Sequence, residues 1–417
     1  LQKSDEPLRL LAGVGQLRLG MNVLVLSLTS FATSFSMGLW LWYFSLYAVE
    51  EVGASSVELG LIFLVSTLCF FFGGFLGFLA DSVGRKNVIV VGTSLYSLLT
   101  LAMGLSKSWI TLALSLAGIR LIHSCYFGSM LAMTAESVDP SRRGMALSML
   151  NLLSFAGLVP APYVGSWLHA FYGSYQQLFA VSAMLTSLMA VSRLILRETL
   201  PLESRGKPSL KSIKLKMLDA LSSSRGLKGV LVLSGLYSFS SSLTMGIYGL
   251  WILYATEVAG LSTEELGLWG AIYQAAFMLT VLPAGRLADK VGFKKMLFIG
   301  IPVEALSCLA FAYARGLPLV ASVSIFDAVG SAMNIIALEV AVAHLSDSAH
   351  RAGALSLYSA AYYGSSAPAS YVGGHIYSYS KSMPFILSAS LQTLSIATLV
   401  VLSRESRLRL QALEKAK

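Results

Sequence analysis

Arg120, His123, Glu304 and Asp327 are titratable side chains that stand well inside long apolar runs. A charge near the middle of a bilayer costs roughly 2.5–3.5 kcal/mol or more, so each group must pair, exchange a proton, or meet a charged solute. Arg120 and Asp327 lie at near-equivalent depths in two runs half a chain apart. They are expected to face each other as an ion pair that a substrate or a proton disrupts; a static structural pair is the alternative. Ser331 and Asn334 share the helical face of Asp327. Glu304, midway along another run, must turn inward or hold a proton, which makes it a second proton-coupling candidate. His123, one turn from Arg120, either titrates near neutral pH or simply packs. His169 and His375 lie near run ends and offer less. The chemistry on offer is binding and proton exchange. No nucleotide-binding loop, catalytic-triad spacing or metal-ligand cluster occurs, so no enzyme activity and no cofactor are expected. Cys69, Cys125 and Cys308 sit singly in apolar runs and read as small packing residues.

The elements that must hold these groups follow from composition. Hydrophobic residues make up 55% of the 417 and charged residues 12%, against about 25% charged in a soluble domain. Runs long enough to cross a bilayer occur at 20–48, 57–79, 87–105, 109–134, 144–169, 175–195, 229–256, 264–286, 295–314, 318–343, 352–378 and 383–403. The expected fold is an all-α polytopic membrane protein, with twelve transmembrane helices in two pseudo-symmetric six-helix bundles. The bundles cover residues 20–196 and 229–403. A segment at 1–19, a basic linker at 197–228 and a tail at 404–417 lie on one side. Only Lys107, Arg315 and Lys381 fall in loops of the other side, although the net charge is +9. That is the positive-inside pattern, which places both termini in the cytoplasm; a monomer in the plasma membrane is expected. The basic linker carries Leu210, Ile213, Leu215, Met217 and Leu218, which suit a lipid surface better than nucleic acid. Residues 1–18 lack the order of a cleaved signal.

The two halves are copies. Gly77-Phe-Leu-Ala-Asp81-Ser-Val-Gly84-Arg85-Lys86 returns 208 positions later as Gly285-Arg-Leu-Ala-Asp289-Lys-Val-Gly292-Phe-Lys294. The same shift carries Met37-Gly38 onto Met245-Gly246 and Pro160-Ala-Pro162-Tyr-Val-Gly165 onto Pro368-Ala-Ser-Tyr-Val-Gly373. A repeat of this length decides the architecture. The first copy, between spans 2 and 3, resembles the signature loop of the major facilitator superfamily, and the resemblance covers the whole chain.

The resemblance implies that Asp81 approaches the start of span 11 near Arg351, with Arg85, Lys86 and Asp289 adding gating contacts. Gly77 and Gly84 would permit close packing and a sharp turn. Glu136 and Arg143 are similar to a pair that closes the loop between spans 4 and 5 in sugar-transporting relatives, although the second half has His344 and Arg351 there. Leu116-x-x-x-Arg120 is similar to a span 4 motif whose arginine is associated with proton coupling; Ser124 replaces its usual glycine. Gly157-x-x-Pro160-Ala-Pro162-x-x-Gly165-Ser is similar to the antiporter motif of span 5, and Pro368, Gly373 and Gly374 repeat it in span 11. Both helices would bend and pack closely across the two halves.

In this family spans 1, 4, 7 and 10 line a central cavity. Span 1 has a stripe of Asn22, Thr29, Thr33, Ser36, Trp40, Tyr43 and Tyr47, and span 7 answers with Tyr237, Ser241, Thr244, Tyr248 and Trp251. These are expected to contact substrate, or alternatively to serve as helix-packing hydroxyls. The implied function is alternating-access transport, with proton-coupled export of an amphipathic small molecule as the leading form. Uniport or symport of a sugar, organic anion or lipid-like solute remains open, because span 1 lacks an acidic residue. A non-transporting membrane sensor is the reading from another class.

Overall fold

The computed structural model describes residues 20–75, 83–200, 227–346 and 351–415. Helices follow the expected runs in order. The first half comprises α1 (Met21–Leu41), α2 (Ser56–Phe75), α3 (Arg85–Gly104), α4 (Trp109–Glu136), α5a (Arg143–Leu158), α5b (Ala161–Tyr172) and α6 (Gln176–Ser192). The second comprises α7a (Leu227–Ser242), α7b (Leu250–Glu257), α8 (Thr263–Val291), α9 (Phe293–Phe311), α10 (Gly316–Leu345), α11 (Arg351–Tyr379) and α12 (Met383–Lys415). Among the described residues there is no strand.

Nine helical stretches are long and apolar enough to cross a membrane by length and composition, among the described residues. The other three expected crossings fall short for visible reasons. α7 is cut in two, α9 carries Lys294, Lys295 and Glu304, and α11 is rich in Ser, Gly and Tyr.

Local sequence sets the interruptions. Pro160 and Pro162 separate α5a from α5b, because proline has no N–H to continue the ladder. Between α7a and α7b the chain turns through Met245 at φ +56° and Gly246 at φ +64°. A bulky residue in the left-handed region is uncommon and needs support from its surroundings.

The packing repeats with the sequence. α1 lies on α5a and α6, α2 on α4, and α3 on α4 and α6. Half a chain later α7a lies on α11 and α12, α8 on α10, and α9 on α10 and α12. The two most extensive contacts across the seam are α5b with α8 and α11 with α2, and these are also equivalent. The glycines of the span 5 and span 11 motifs make the close approaches. A Cβ on Gly165 would lie 2.8 Å from the Leu39 carbonyl oxygen of α1, and one on Gly373 would overlap the Leu243 carbonyl beyond α7a. Gly157 and Gly374 are equally tight against Phe31 and Ser56.

Candidate functional site

The second half encloses a cavity of about 160 Å³ where α7 to α12 converge. Its wall includes the expected Tyr237, Ser241, Thr244, Trp251, Asp327 and Ser331, and also Glu304. The break in α7 places Thr244 and Gly246 on this wall, so irregular backbone faces a cavity instead of lipid. Glu304 is buried and accepts three hydrogen bonds. Tyr237 Oη donates at 2.8 Å, Asn334 Nδ2 at 2.7 Å and Gln392 Nε2 at 3.2 Å. Gly330 makes this geometry possible, since a Cβ there would sit 2.8 Å from the Glu304 backbone nitrogen. Asp327 accepts one long bond, from Tyr273 Oη at 3.4 Å. Among the described residues, no Lys, Arg or His lies on the cavity wall. Asn334 supports Glu304 from behind and is not part of the wall.

The expected ion pair between Arg120 and Asp327 is not formed. Among the described residues neither side chain has an ion-pair partner. Arg120 is half-buried and lies within electrostatic reach of the hydroxyls of Tyr96, Tyr248 and Tyr363. The last two belong to the second half, so the guanidinium faces the seam. Tyr248 is not on the cavity wall; its hydroxyl accepts from Gln274 Nε2 at 2.7 Å. His123 packs among Phe70, Tyr126 and Phe127.

Every hydrogen bond between described residues of the two halves lies at the end away from the termini. Trp42 Nε1 donates to the Leu266 carbonyl at 2.9 Å, Ser45 Oγ to Tyr248 at 2.5 Å and Ser56 Oγ to Gly374 at 3.0 Å. Tyr175 and Thr263 hydroxyls meet at 3.5 Å.

The family profile described as the Major Facilitator Superfamily matches residues 26–243 and again 230–417. The chain belongs to this superfamily. It is 25% identical over 413 residues to an uncharacterized MFS-type transporter of Methanocaldococcus jannaschii, covering 95% of this chain and 96% of that one. It is also 25% identical over 309 residues to the multidrug resistance protein MdtG of Escherichia coli, covering 70% of this chain and 72% of that one. Among solved structures, the nucleoside transporter NupG superposes with a TM-score of 0.79 at 17% identity, over 91% of this chain and 99% of that one. The protein is therefore a multi-pass membrane transporter and not an enzyme.

Other parts of this transporter depart from expectation. The α1 stripe turns into its own bundle and lines no part of the cavity. Ser36 Oγ donates to the Ser182 carbonyl at 2.8 Å, Trp40 stacks on Phe179, and Tyr43 Oη donates to the Pro162 carbonyl at 2.6 Å. Thr29 and Thr33 serve Arg193, a residue that by sequence position belongs to the basic cytoplasmic end of span 6. Arg193 is 0% exposed. It donates to the hydroxyls of Thr29 at 3.1 Å, Thr93 at 2.5 Å and Thr33 at 3.4 Å, and lies 5.8 Å from the Tyr126 ring centre. The signal that pointed to it was the threonine pair one turn apart on α1, which was assigned to substrate.

At the loop between α2 and α3, Gly77 and Asp81 lie outside the described residues. Gly84 caps α3 at φ +103° and its copy Gly292 caps α9 at φ +89°. Both turns demand glycine. The Glu198 carboxylate accepts from the backbone N–H groups of Arg85 at 3.1 Å and Lys86 at 3.2 Å, where a helix N-terminus favours an anion. Glu136 pairs with Arg85 at 2.8 Å and not with Arg143. Arg143 instead donates to the carbonyl of Ala135, the residue before Glu136, at 3.1 Å. Asp289 and Arg351 are exposed.

Proposed function

We propose that the protein is a secondary transporter that exports an amphipathic small molecule in exchange for protons, by alternating access. The single observation carrying this reading is the cavity with two buried carboxylates, Glu304 and Asp327, and no cation on its wall. A carboxylate in such a place is expensive as a lone anion, so it gains by taking a proton or a cationic group. Arg120, facing the seam without a partner, is the third member of the coupling set. The 25% identity to a protein named for multidrug resistance supports the export direction.

In this reading residues 20–196 and 229–403 rock against each other around the cavity. Contacts at the far end represent the closed outer side, while the Gly84 and Gly292 turns, Lys86, Arg143, Asp289 and Arg351 belong to the cytoplasmic gate, with Asp81 and Gly77. The break at Pro160 and Pro162, and Pro368 inside the continuous α11, supply the flexing interface. Both termini and the linker lie in the cytoplasm, and the monomer in the plasma membrane is the working unit.

The absence of an acidic residue from the α1 stripe favours a second reading, uniport or symport of a sugar, organic anion or lipid-like solute. Flux into proteoliposomes under an imposed pH gradient, over a chemically broad solute panel, separates the two. Accumulation that follows the gradient supports exchange; counterflow indifferent to the gradient sinks it.

A further inference from the structure

The cavity and Arg120 together also say what kind of molecule fits. The cavity is short of donors. Gln392 is 1% exposed and its amide nitrogen is committed to Glu304, which leaves the buried Oε1 with no hydrogen-bond partner. A buried acceptor without a donor costs free energy and asks for an N–H or O–H. Asp327 has only the 3.4 Å bond from Tyr273. A primary ammonium brings three donors and a positive charge, which matches two carboxylates and one free amide oxygen. The rings of Tyr237, Tyr273 and Trp251 on the same wall add cation–π attraction.

Arg120 has the opposite need. Its guanidinium has no hydrogen bond or ion pair among the described residues and faces Tyr248 and Tyr363 across the seam. The planar donor fork suits a carboxylate or phosphate. Tyr248 and Tyr273 connect it to Asp327: Tyr248 lies within reach of both Arg120 and Tyr273, and Tyr273 holds Asp327. Two tyrosine rings therefore separate the cationic and anionic ends of the route.

We propose that the cargo is a dipolar molecule whose charged nitrogen seats between Glu304, Asp327 and Gln392 and whose anionic group, several bonds away, is received by Arg120. This rests on the transport reading of the same cavity and narrows it to a substrate class. A purely cationic molecule leaves Arg120 unmatched. A purely anionic one meets two carboxylates.

The test is equilibrium binding to the full chain in lipid nanodiscs, using three probes of one length: ε-aminocaproate, hexylamine and hexanoate. The expected order is ε-aminocaproate tightest, hexylamine weaker by about tenfold, and hexanoate weakest. Glu304→Gln and Asp327→Asn should weaken both amines. Arg120→Gln should bring ε-aminocaproate down to the affinity of hexylamine, and the exposed Glu264→Gln should change nothing. The comparison of probes on the unsubstituted protein decides the matter even if a variant fails to fold. Hexanoate binding as tightly as the amines, hexylamine equalling ε-aminocaproate, or no binding by any probe overturns the proposal. Binding in the expected order with flux that ignores a pH gradient would end proton exchange and leave the substrate class standing. Gradient-driven flux with the order inverted would do the reverse.

Discussion

The interiors of the two halves carry opposite charge on one helix pattern. Position 29 of α1 and its copy, position 237 of α7a, each reach a buried ion of their own half. Thr29 accepts from Arg193, whereas Tyr237 donates to Glu304. Each guanidinium nitrogen of the first-half ion, Nε, Nη1 and Nη2 of Arg193, donates to a threonine hydroxyl, and the residue is fully buried. The second-half ion is surrounded by unfinished valences, with Gln392 Oε1 unpartnered and a cavity alongside. A buried ion fully enclosed by its own helices has no open space in which to meet a ligand. One with spare capacity beside a cavity has that room. Duplication conserved the positions while the chemistry at them diverged into a clamp and a site.

The largest effect expected from breaking this contrast is on the clamp's acceptors. Replacing Thr29, Thr33 and Thr93 together by valine strands the Arg193 charge in an apolar bundle. Loss of about 3–5 kcal/mol of stability is expected, as when one partner of a buried ion pair is removed. Thermal melting in detergent would show it. Adding Arg193→Met should restore most of the loss, since the charge that needed partners is gone. In the unsubstituted chain the three threonines also donate to carbonyls of their own helices. Arg193→Met alone therefore orphans no hydroxyl and should cost little. A large loss from Arg193→Met alone would show that the clamp holds the bundle by attraction and not merely by avoiding a lone charge.

Next in size are the equivalent glycines. Gly165→Val and Gly373→Val should each destabilise by about 1–3 kcal/mol through overpacking. Gly373→Val is expected to be the worse, because its neighbour is the Leu243 backbone carbonyl, whereas Gly165 also meets the Tyr43 ring at 2.7 Å, a side chain that can move. Equal melting shifts would mean that the α7 break yields as easily as a ring.

The carboxylates should respond in function more than in stability. Glu304→Gln keeps the shape and most hydrogen bonds, so melting should change little. Gradient-driven accumulation should fall about tenfold, while counterflow persists. Asp327→Asn should behave alike. Unchanged flux and unchanged pH dependence in both would remove the second half from the coupling mechanism.

The architecture was legible because it rests on features that a linear sequence displays: apolar runs, a half-length repeat and a one-sided distribution of Lys and Arg. Turn glycines such as Gly84 and Gly292 were legible for the same reason, since a local backbone requirement needs no partner. Tyr237, Ser241, Thr244 and Trp251 on the cavity wall are the 208-residue copies of α1 positions, whereas Tyr248, from the same shift, is not on it. The α1 stripe failed because a period of 3.6 gives a common face without saying whether that face looks at the seam or at α6. Thr29 and Thr33 look at Arg193, a residue that appeared to belong to a basic helix end. The Arg120–Asp327 pair failed because equivalent depth fixes height and leaves azimuth free; Asp327 instead meets Tyr273 at 3.4 Å. Gln392, on α12, carried no repeat or motif to single it out.

The smallest effect concerns the loop ends, where the halves again differ. Arg85 and Glu136 make an ion pair at 2.8 Å with side chains 14% and 35% exposed, whereas the equivalent positions in the second half are Phe293 and His344, whose rings lie 6.2 Å apart. Glu136 also accepts from Thr199 Oγ at 2.7 Å. Water reaches the carboxylate, so Glu136→Ala should cost only about 0–1 kcal/mol. Its charge is also screened, and the loss should shrink further in high salt. Melting at low and high ionic strength checks this. A salt-independent loss well above that range would show that the contact acts as a buried strut between α3 and α4. The ring contact in the second half should melt without regard to salt, which makes His344→Leu the matching control.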